Sequence, residues 1–155
     1  QPENEINVVP TDVGKVLEET VRFMEPQINE KKLTLERKLT SHLPLIKASP
    51  EELKQVFLNL LMNAKDFTPS GGKITVSAYT QNEGIQIEFS DSGCGIPKEN
   101  LNKIFEPFFT TKAGFKGAGL GLSVCYGILQ RHKGTIIAEN KKEGGCRFLI
   151  HLPAG

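Results

Sequence analysis

Apolar positions recur along the chain in two periods, and the places where one period gives way to the other mark its elements. From residue 49 the chain reads Ser-Pro-Glu-Glu-Leu-Lys-Gln-Val-Phe-Leu-Asn-Leu-Leu-Met-Asn-Ala-Lys-Asp-Phe. Leu53, Val56, Phe57, Leu60, Leu61, Ala64 and Phe67 follow the three-and-four spacing of a helix that packs one face on a core. Ser49, Pro50 and Glu52 supply an N-cap, a proline at the first helical position and the glutamate of a capping box, so the helix is expected to start here. Upstream, residues 6–9 form a short β-like run ended by Pro10, and Thr11 or Asp12 can cap a helix carrying Val13, Val16, Leu17, Val21, Phe23 and Met24. That helix should end near residues 29–32 unless Pro26 stops it earlier. Residues 33–39 alternate as a half-exposed strand, and 45–48 form a second short strand leading into the Ser49 helix.

After the turn Pro69-Ser70-Gly71-Gly72, the apolar residues Ile74, Val76 and Ala78 alternate with polar ones. Asn82-Glu83-Gly84 then turns the chain into Ile85, Ile87 and Phe89, which predicts an antiparallel hairpin. Residues 91–121 are rich in glycine, proline and phenylalanine and show little periodicity; a loop this long inside a compact domain is usually functional. Helical spacing resumes over 122–131, Gly134 breaks it, and 135–139 with 146–152 read as a last hairpin around Glu143-Gly144-Gly145. The predicted fold class is α/β: a two-layer sandwich with three main helices on one face of a mixed, mostly antiparallel sheet.

At 155 residues the chain fits one domain, large enough to bury roughly 70% of its unfolded surface. Its 19 basic and 18 acidic residues leave a net charge of +1, so no global field recruits nucleic acid or an anionic membrane, and any anion binding must be local. Cys94, Cys125 and Cys146 are dispersed and odd in number, which speaks against disulfides and zinc and favours a reducing cytoplasm. No window approaches the roughly 20 apolar residues of a membrane span. The polar start is no signal peptide, and it reads as a boundary within a longer protein.

Three stretches carry chemistry. Asn59, Asn63 and Asp66 lie four and then three residues apart beside the apolar stripe of one helix. Such a column of amide oxygens suits a hard cation already carried by phosphate, or is a pair of solvated polar residues. In Asp91-Ser92-Gly93-Cys94-Gly95-Ile96-Pro97, an aspartate at a strand end can accept a hydrogen bond from an exocyclic amine while Gly93 and Gly95 let a planar ring approach; Asp-Ser-Gly also marks an ordinary turn. Gly117-Ala118-Gly119-Leu120-Gly121-Leu122 stands before a helix, where backbone N–H groups and the helix dipole can hold phosphate. The pattern fits neither a Rossmann nor a Walker motif.

Taken in order, these pieces resemble the catalytic ATP-binding domain of sensor histidine kinases. Asn59-x-x-x-Asn63 is similar to its N box, Asp91-x-Gly93-x-Gly95 to its first glycine box and Gly117-x-Gly119-x-Gly121 to its second. Phe105-Glu106-Pro107-Phe108-Phe109-Thr110-Thr111-Lys112 resembles its F box. The resemblance spans residues 7–152 and implies the Bergerat sandwich shared with gyrase, a mismatch-repair ATPase and a heat-shock chaperone. It also implies a linker over 1–6, a catalytic domain over 7–153 and a mobile ATP lid over about 95–117. Carried over, Asn63 would coordinate Mg²⁺ on the triphosphate and Asn59 would assist at the phosphates. Asp91 would recognise the adenine amino group beside Gly93 and Gly95, with Ile96 as an apolar contact. Phe105, Phe108 and Phe109 would tether the lid, and Lys112 would reach the terminal phosphates. Gly117, Gly119 and Gly121 would present amides to those phosphates, with Leu122 beginning the helix beneath. Asp66, Phe109, Leu120 and Leu122 fall among the nucleotide-facing positions.

Some positions depart from the pattern. A basic residue is common three after the metal asparagine, where this chain has Asp66 preceded by Lys65; Lys133 interrupts a frequent His-Gly-Gly. ATP-hydrolysing relatives place a water-activating glutamate where this chain has Asn59, which favours a kinase that positions and neutralises the phosphoryl group. His42, His132 and His151 lie outside any phosphoacceptor-like box and read as structural or surface residues. The resemblance therefore implies transfer of the γ-phosphoryl of ATP to a histidine on a separate helical dimerisation domain, and thence to an aspartate in a response-regulator receiver domain. The implied setting is cytoplasmic, with neither nucleic acid nor direct membrane contact, although the parent protein can be membrane-anchored. The run Val124-Cys125-Tyr126-Gly127-Ile128 further resembles the nitrogen-regulation and PAS-linked branch. Two alternatives are an ATP- or ADP-sensing scaffold without phosphotransfer and a serine kinase of the anti-sigma type, the latter disfavoured by the full F box.

Overall fold

In the computed structural model, which describes residues 7–107, 109 and 118–154 (118–120 as backbone only), the ten main elements follow the expected order. They are β1 (Val9–Thr11), α1 (Val13–Glu30), β2 (Thr34–Leu39), β3 (Ile46–Ala48), α2 (Pro50–Phe67), β4 (Lys73–Thr80), β5 (Gly84–Asp91), α3 (Ala118–Arg131), β6 (Thr135–Asn140) and β7 (Cys146–Pro153). A five-stranded sheet runs β2-β4-β5-β7-β6, with β2 parallel to β4 and the remaining pairs antiparallel. The parallel pair arises because β2 and β4 are joined through α2, and a crossover of that kind lays its helix over the sheet.

Strict alternation decides which face the helices cover. Ile74, Val76 and Ala78 of β4, Ile85, Ile87 and Phe89 of β5, and Phe148, Ile150 and Leu152 of β7 are buried beneath α1, α2 and α3. Phe57 of α2 meets Phe89 of β5 with ring centroids 5.9 Å apart, at the centre of this layer. The opposite face is polar, with ion pairs such as Arg147–Glu88 and Lys73–Glu36. Asn82 and Glu83 both hold positive φ, the primed turn that a two-residue β4–β5 hairpin requires. No helix among the described residues is long and apolar enough to cross a membrane.

The structure corrects three expectations. The first strand is Val9–Thr11 rather than 6–9, and Pro10 lies inside it opposite Lys47, tolerated because β1 and β3 form a separate two-stranded sheet with open edges. Helix α1 ends at Glu30, within the expected 29–32, and runs through Pro26 because buried Met24 and Ile28 anchor it on either side. Helix α3 begins at Ala118, not Leu122, so Gly119 and Gly121 are in its first turn. The capping box at α2 closes in one direction only. Ser49 Oγ accepts the Glu52 N–H at 3.2 Å, but the Ser49 N–H donates to His132 Nε2 at 3.0 Å, and the Glu52 carboxylate pairs with Arg131 at 2.8 Å. The end of α3 thus takes the place of the glutamate. His132 Nδ1 donates to the Ile128 carbonyl at 2.8 Å, so this buried histidine is structural, as its sequence setting predicts.

Helices α1 and α3 end alike. Leu33 N–H bonds to Ile28 O and Lys32 N–H to Asn29 O; Gly134 N–H bonds to Leu129 O and Lys133 N–H to Gln130 O. Both are Schellman ends, with the left-handed position held by Lys32 (φ 66°) and Lys133 (φ 60°) instead of glycine. Because a side chain is strained there, Lys133→Gly is expected to stabilise the fold by about 0.5–1 kcal/mol, raising Tm by roughly 2 °C in a thermal melt. A lower Tm would contradict the strain argument.

Candidate functional site

Helix α2, the end of β5 and the start of α3 frame a cleft whose floor is Leu60, Phe89 and Phe148 and whose sides include Asn63, Ile96, Phe109 and Leu122. The space these side chains enclose is about 50 Å³, and the cleft opens from it to solvent. Asp91, the last residue of β5, brings a carboxylate into this otherwise apolar wall at 6% exposure. Its Oδ1 accepts the Gly93 N–H at 2.8 Å and the Cys146 N–H at 3.3 Å. Oδ2 has no protein partner among the described residues. Burial pushes the Asp91 pKa above its ordinary 3.8, against the two N–H groups and the nearby Lys141 ammonium. A single acceptor oxygen in an apolar slot matches a neutral, planar ligand bearing an amine.

Six of the residues named from sequence, Asn63, Asp91, Gly95, Ile96, Phe109 and Leu122, meet in this cleft. Gly93 is beside it without lining it, and the fold itself requires this glycine, since a Cβ would stand 2.4 Å from the Phe67 carbonyl oxygen at the end of α2. Asn59, one turn before Asn63, is also set back from the cleft. Its Nδ2 donates to the Gly121 carbonyl at 3.3 Å and reaches Cys125 Sγ at 3.7 Å, so it ties the first turn of α3 to α2. Burial pushes the Cys125 thiol to about 11, keeping it neutral in that contact. Gly119 and Leu120 lie where N–H groups have no carbonyl partner inside the helix, the arrangement that attracts anions.

Asp66 is outside the cleft. Its Oδ1 lies 3.3 Å from Lys65 Nζ, and Lys31, just past α1, donates to the Lys65 and Asp66 carbonyls at 2.6 and 3.3 Å, a cation on the C-terminal end of α2. Lys65 is therefore engaged at that end rather than turned towards Asn63. Phe105 packs at 5.7 Å on Tyr126 of α3 and edge-on at 6.2 Å against Phe148 of β7, fixing the chain ahead of Phe109. Lys112, Gly117, Phe108, Thr110, Thr111 and the Leu120 side chain lie outside the described residues.

Sequence reasoning missed the contribution of the β6–β7 hairpin. Cys146, its thiol pushed to about 12 chiefly by burial, lines the cleft and donates to Asp91. Gly145 (φ 89°) approaches so closely that a Cβ would stand 2.0 Å from the Asp91 carbonyl oxygen. The Asn140 amide bonds both backbone polar groups of Ile96. Only Gly144-Gly145 before a strand hinted at a close approach, and nothing local says to what.

Residues 48–155, which contain every cleft residue, match a family described as histidine kinase-, DNA gyrase B-, and HSP90-like ATPase. The chain is 36% identical to the sensor histidine kinase ZraS of Escherichia coli over 142 residues, covering 92% of this chain and 30% of that one. It is similar to the solved catalytic domain of histidine kinase ThkA, with TM-score 0.88 and 30% identity over 96% of this chain and 97% of that one. ThkA in complex with the response regulator protein TrrA is matched with TM-score 0.83 and 28% identity, over 96% of this chain and 42% of that one. Across eight curated relatives the chain spans 19% to 39% of their length. The mixed five-stranded sheet under three helices has the architecture of the solved ThkA catalytic domain, and the chain belongs to the histidine kinase-, DNA gyrase B-, and HSP90-like ATPase family.

Proposed function

We propose that this chain is the ATP-binding catalytic domain of a sensor histidine kinase, over residues 7–153, with 1–6 as linker and about 95–117 as the ATP lid. The observation that carries the reading is the Asp91 carboxylate, buried in an apolar cleft with one oxygen held by Gly93 and Cys146 and the other left for a ligand. The adenine amino group is the donor that fits, with Ile96 and Phe109 against the ring.

The phosphates then extend towards Asn63 and the first turn of α3, where Gly119 and Leu120 offer helix-start amides. Gly117, Gly121 and Lys112 complete this end of the site in the proposal, and Asn59 serves it by holding α3 against α2. No cluster of three metal-ligating side chains occurs among the described residues, and the single amide of Asn63 suits an ion that takes most of its ligands from phosphate and water, as Mg²⁺ does. When bound there, Mg²⁺ would neutralise phosphate charge.

None of His42, His132 and His151 lines the cleft. His132 is bonded at both ring nitrogens, and His151 Nε2 lies 3.1 Å from the Gln81 carbonyl. The acceptor histidine belongs to a separate dimerisation and phosphotransfer domain of a longer protein, from which a response-regulator receiver takes the phosphoryl group; the ThkA complex with TrrA supports that partner class. A cytoplasmic location agrees with this chemistry.

Two substitutions test the site. Asp91→Asn keeps an oxygen for Gly93 and Cys146 but turns the ligand-facing acceptor into a donor. ADP affinity by calorimetry is expected to fall about 10- to 150-fold, the worth of a hydrogen bond to a charged group. Stability should move the other way. Since burial raises the folded pKa, ionising Asp91 costs stability, and that cost grows as pH rises from about 3.8 through the raised folded value. The Tm of Asp91→Asn minus that of the wild type should therefore become more positive between pH 4 and 8, and a difference that shrinks would contradict it. For Asn63→Ala, ADP binding should lose its Mg²⁺ dependence while the Mg²⁺-free affinity changes little. A folded wild-type chain that ignores ADP would overturn the whole reading.

A further inference from the structure

The loop that carries Ile96 leaves the sheet at Asp91, so its backbone has no ladder to fix it. A side chain supplies the missing partner. Asn140, the last residue of β6, accepts the Ile96 N–H through Oδ1 at 2.8 Å and donates through Nδ2 to the Ile96 carbonyl at 2.7 Å. One planar amide thus makes both bonds that a neighbouring strand would make. Gly95, at φ 79°, lets the chain come this near, because a Cβ there would sit 3.0 Å from Asn140 Oδ1. The same hairpin grips the strand end beside it, through Lys141 Nζ to Ser90 Oγ at 2.8 Å and the Cys146 N–H to Asp91 Oδ1.

From this the geometry points to Asn140 as a positioning residue of the nucleotide site, one that sets the apolar wall at Ile96 relative to the acceptor oxygen of Asp91. The inference rests on the nucleotide reading above and assigns a role to a residue 44 positions from Ile96. Both bonds are exposed to solvent, so they add little to global stability; what they do is choose one loop placement among several. The acceptor oxygen of Asp91 distinguishes adenine from a base that presents a carbonyl at that point, and a wall held at a fixed distance keeps the ring in the register where that choice is made. Loss of the clamp should therefore reduce both affinity and base discrimination.

The test compares the wild-type 155-residue chain with Asn140→Ala and Asn140→Asp, using ADP and GDP titrations, thermal melts and amide hydrogen exchange at Ile96. Asn140→Ala is expected to fold with a near-normal Tm, to exchange the Ile96 amide faster, to bind ADP about tenfold more weakly and to discriminate less against GDP. Asn140→Asp keeps an acceptor for the Ile96 N–H but no donor for its carbonyl. It should restore Ile96 protection in part and ADP affinity by the same order. Wild-type ADP binding with unchanged affinity in Asn140→Ala overturns this inference alone, as does an affinity loss without faster exchange at Ile96. A wild-type chain that does not bind ADP overturns the nucleotide reading and this inference together.

Discussion

Helix α2 is held at both ends by its neighbours, and the cleft depends on that restraint. A helix leaves four donors unpaired at its start and four acceptors at its end. Here the ends of the neighbouring helices supply partners: Lys31, just past α1, donates to the last carbonyls of α2, and His132, just past α3, accepts the Ser49 N–H while Arg131 pairs with the Glu52 side chain. Sliding or rotating α2 would break contacts to two helices at once. Asn59 adds a third tie halfway along, to the first turn of α3. The position of Asn63 relative to Asp91 therefore follows from how the three helices terminate, and not from packing of the apolar stripe alone.

The electrostatics of the chain are local for the same reason. A net charge of +1 draws no ligand from a distance, and the polar face of the sheet spends its charges on pairs such as Arg147 with Glu88 and Glu139. What remains among the described residues is one carboxylate, Asp91, buried where burial opposes its ionisation. Such a group is a liability in the free protein. Its oxygens are only half satisfied by the backbone, and the remaining acceptor is retained where a ligand donor can complete it.

Legibility in the sequence followed the range of the interactions. Helix α2 and the β4–β5 hairpin could be read because their periods and turn residues act over a few positions, and the strand-end Asp91 and the Asn59–Asn63 column could be read as motifs. The start of α3 was read too late because Gly119 and Gly121 are poor helix formers, and tertiary contact with Asn59 overrides that preference. Pro10 misled in the same way at an isolated sheet edge. The glutamate of the capping box was diverted by Arg131, 79 residues away. The hairpin partners of the cleft lie 44 and 55 residues from Ile96 and Asp91, and no local pattern announces a contact at that range.

The glycines around Asp91 bear on how the cleft is prepared. A glycine near a nucleotide is commonly explained by the ligand's need for space. At Gly93 and Gly145 the space is already taken by the protein, by the Phe67 carbonyl in one case and the Asp91 carbonyl in the other. These two glycines let α2 and the β6–β7 hairpin close on the strand end from either side before anything binds. Once they have closed, Asp91 Oδ1 is committed to two backbone N–H groups and only Oδ2 can turn to a ligand. The carboxylate is thus oriented by backbone, at a place where a flexible side chain would otherwise sample several rotamers. A ligand amine arriving in the proposed site would meet an acceptor whose direction has been set by the fold, with the ordering cost met in folding instead of in binding.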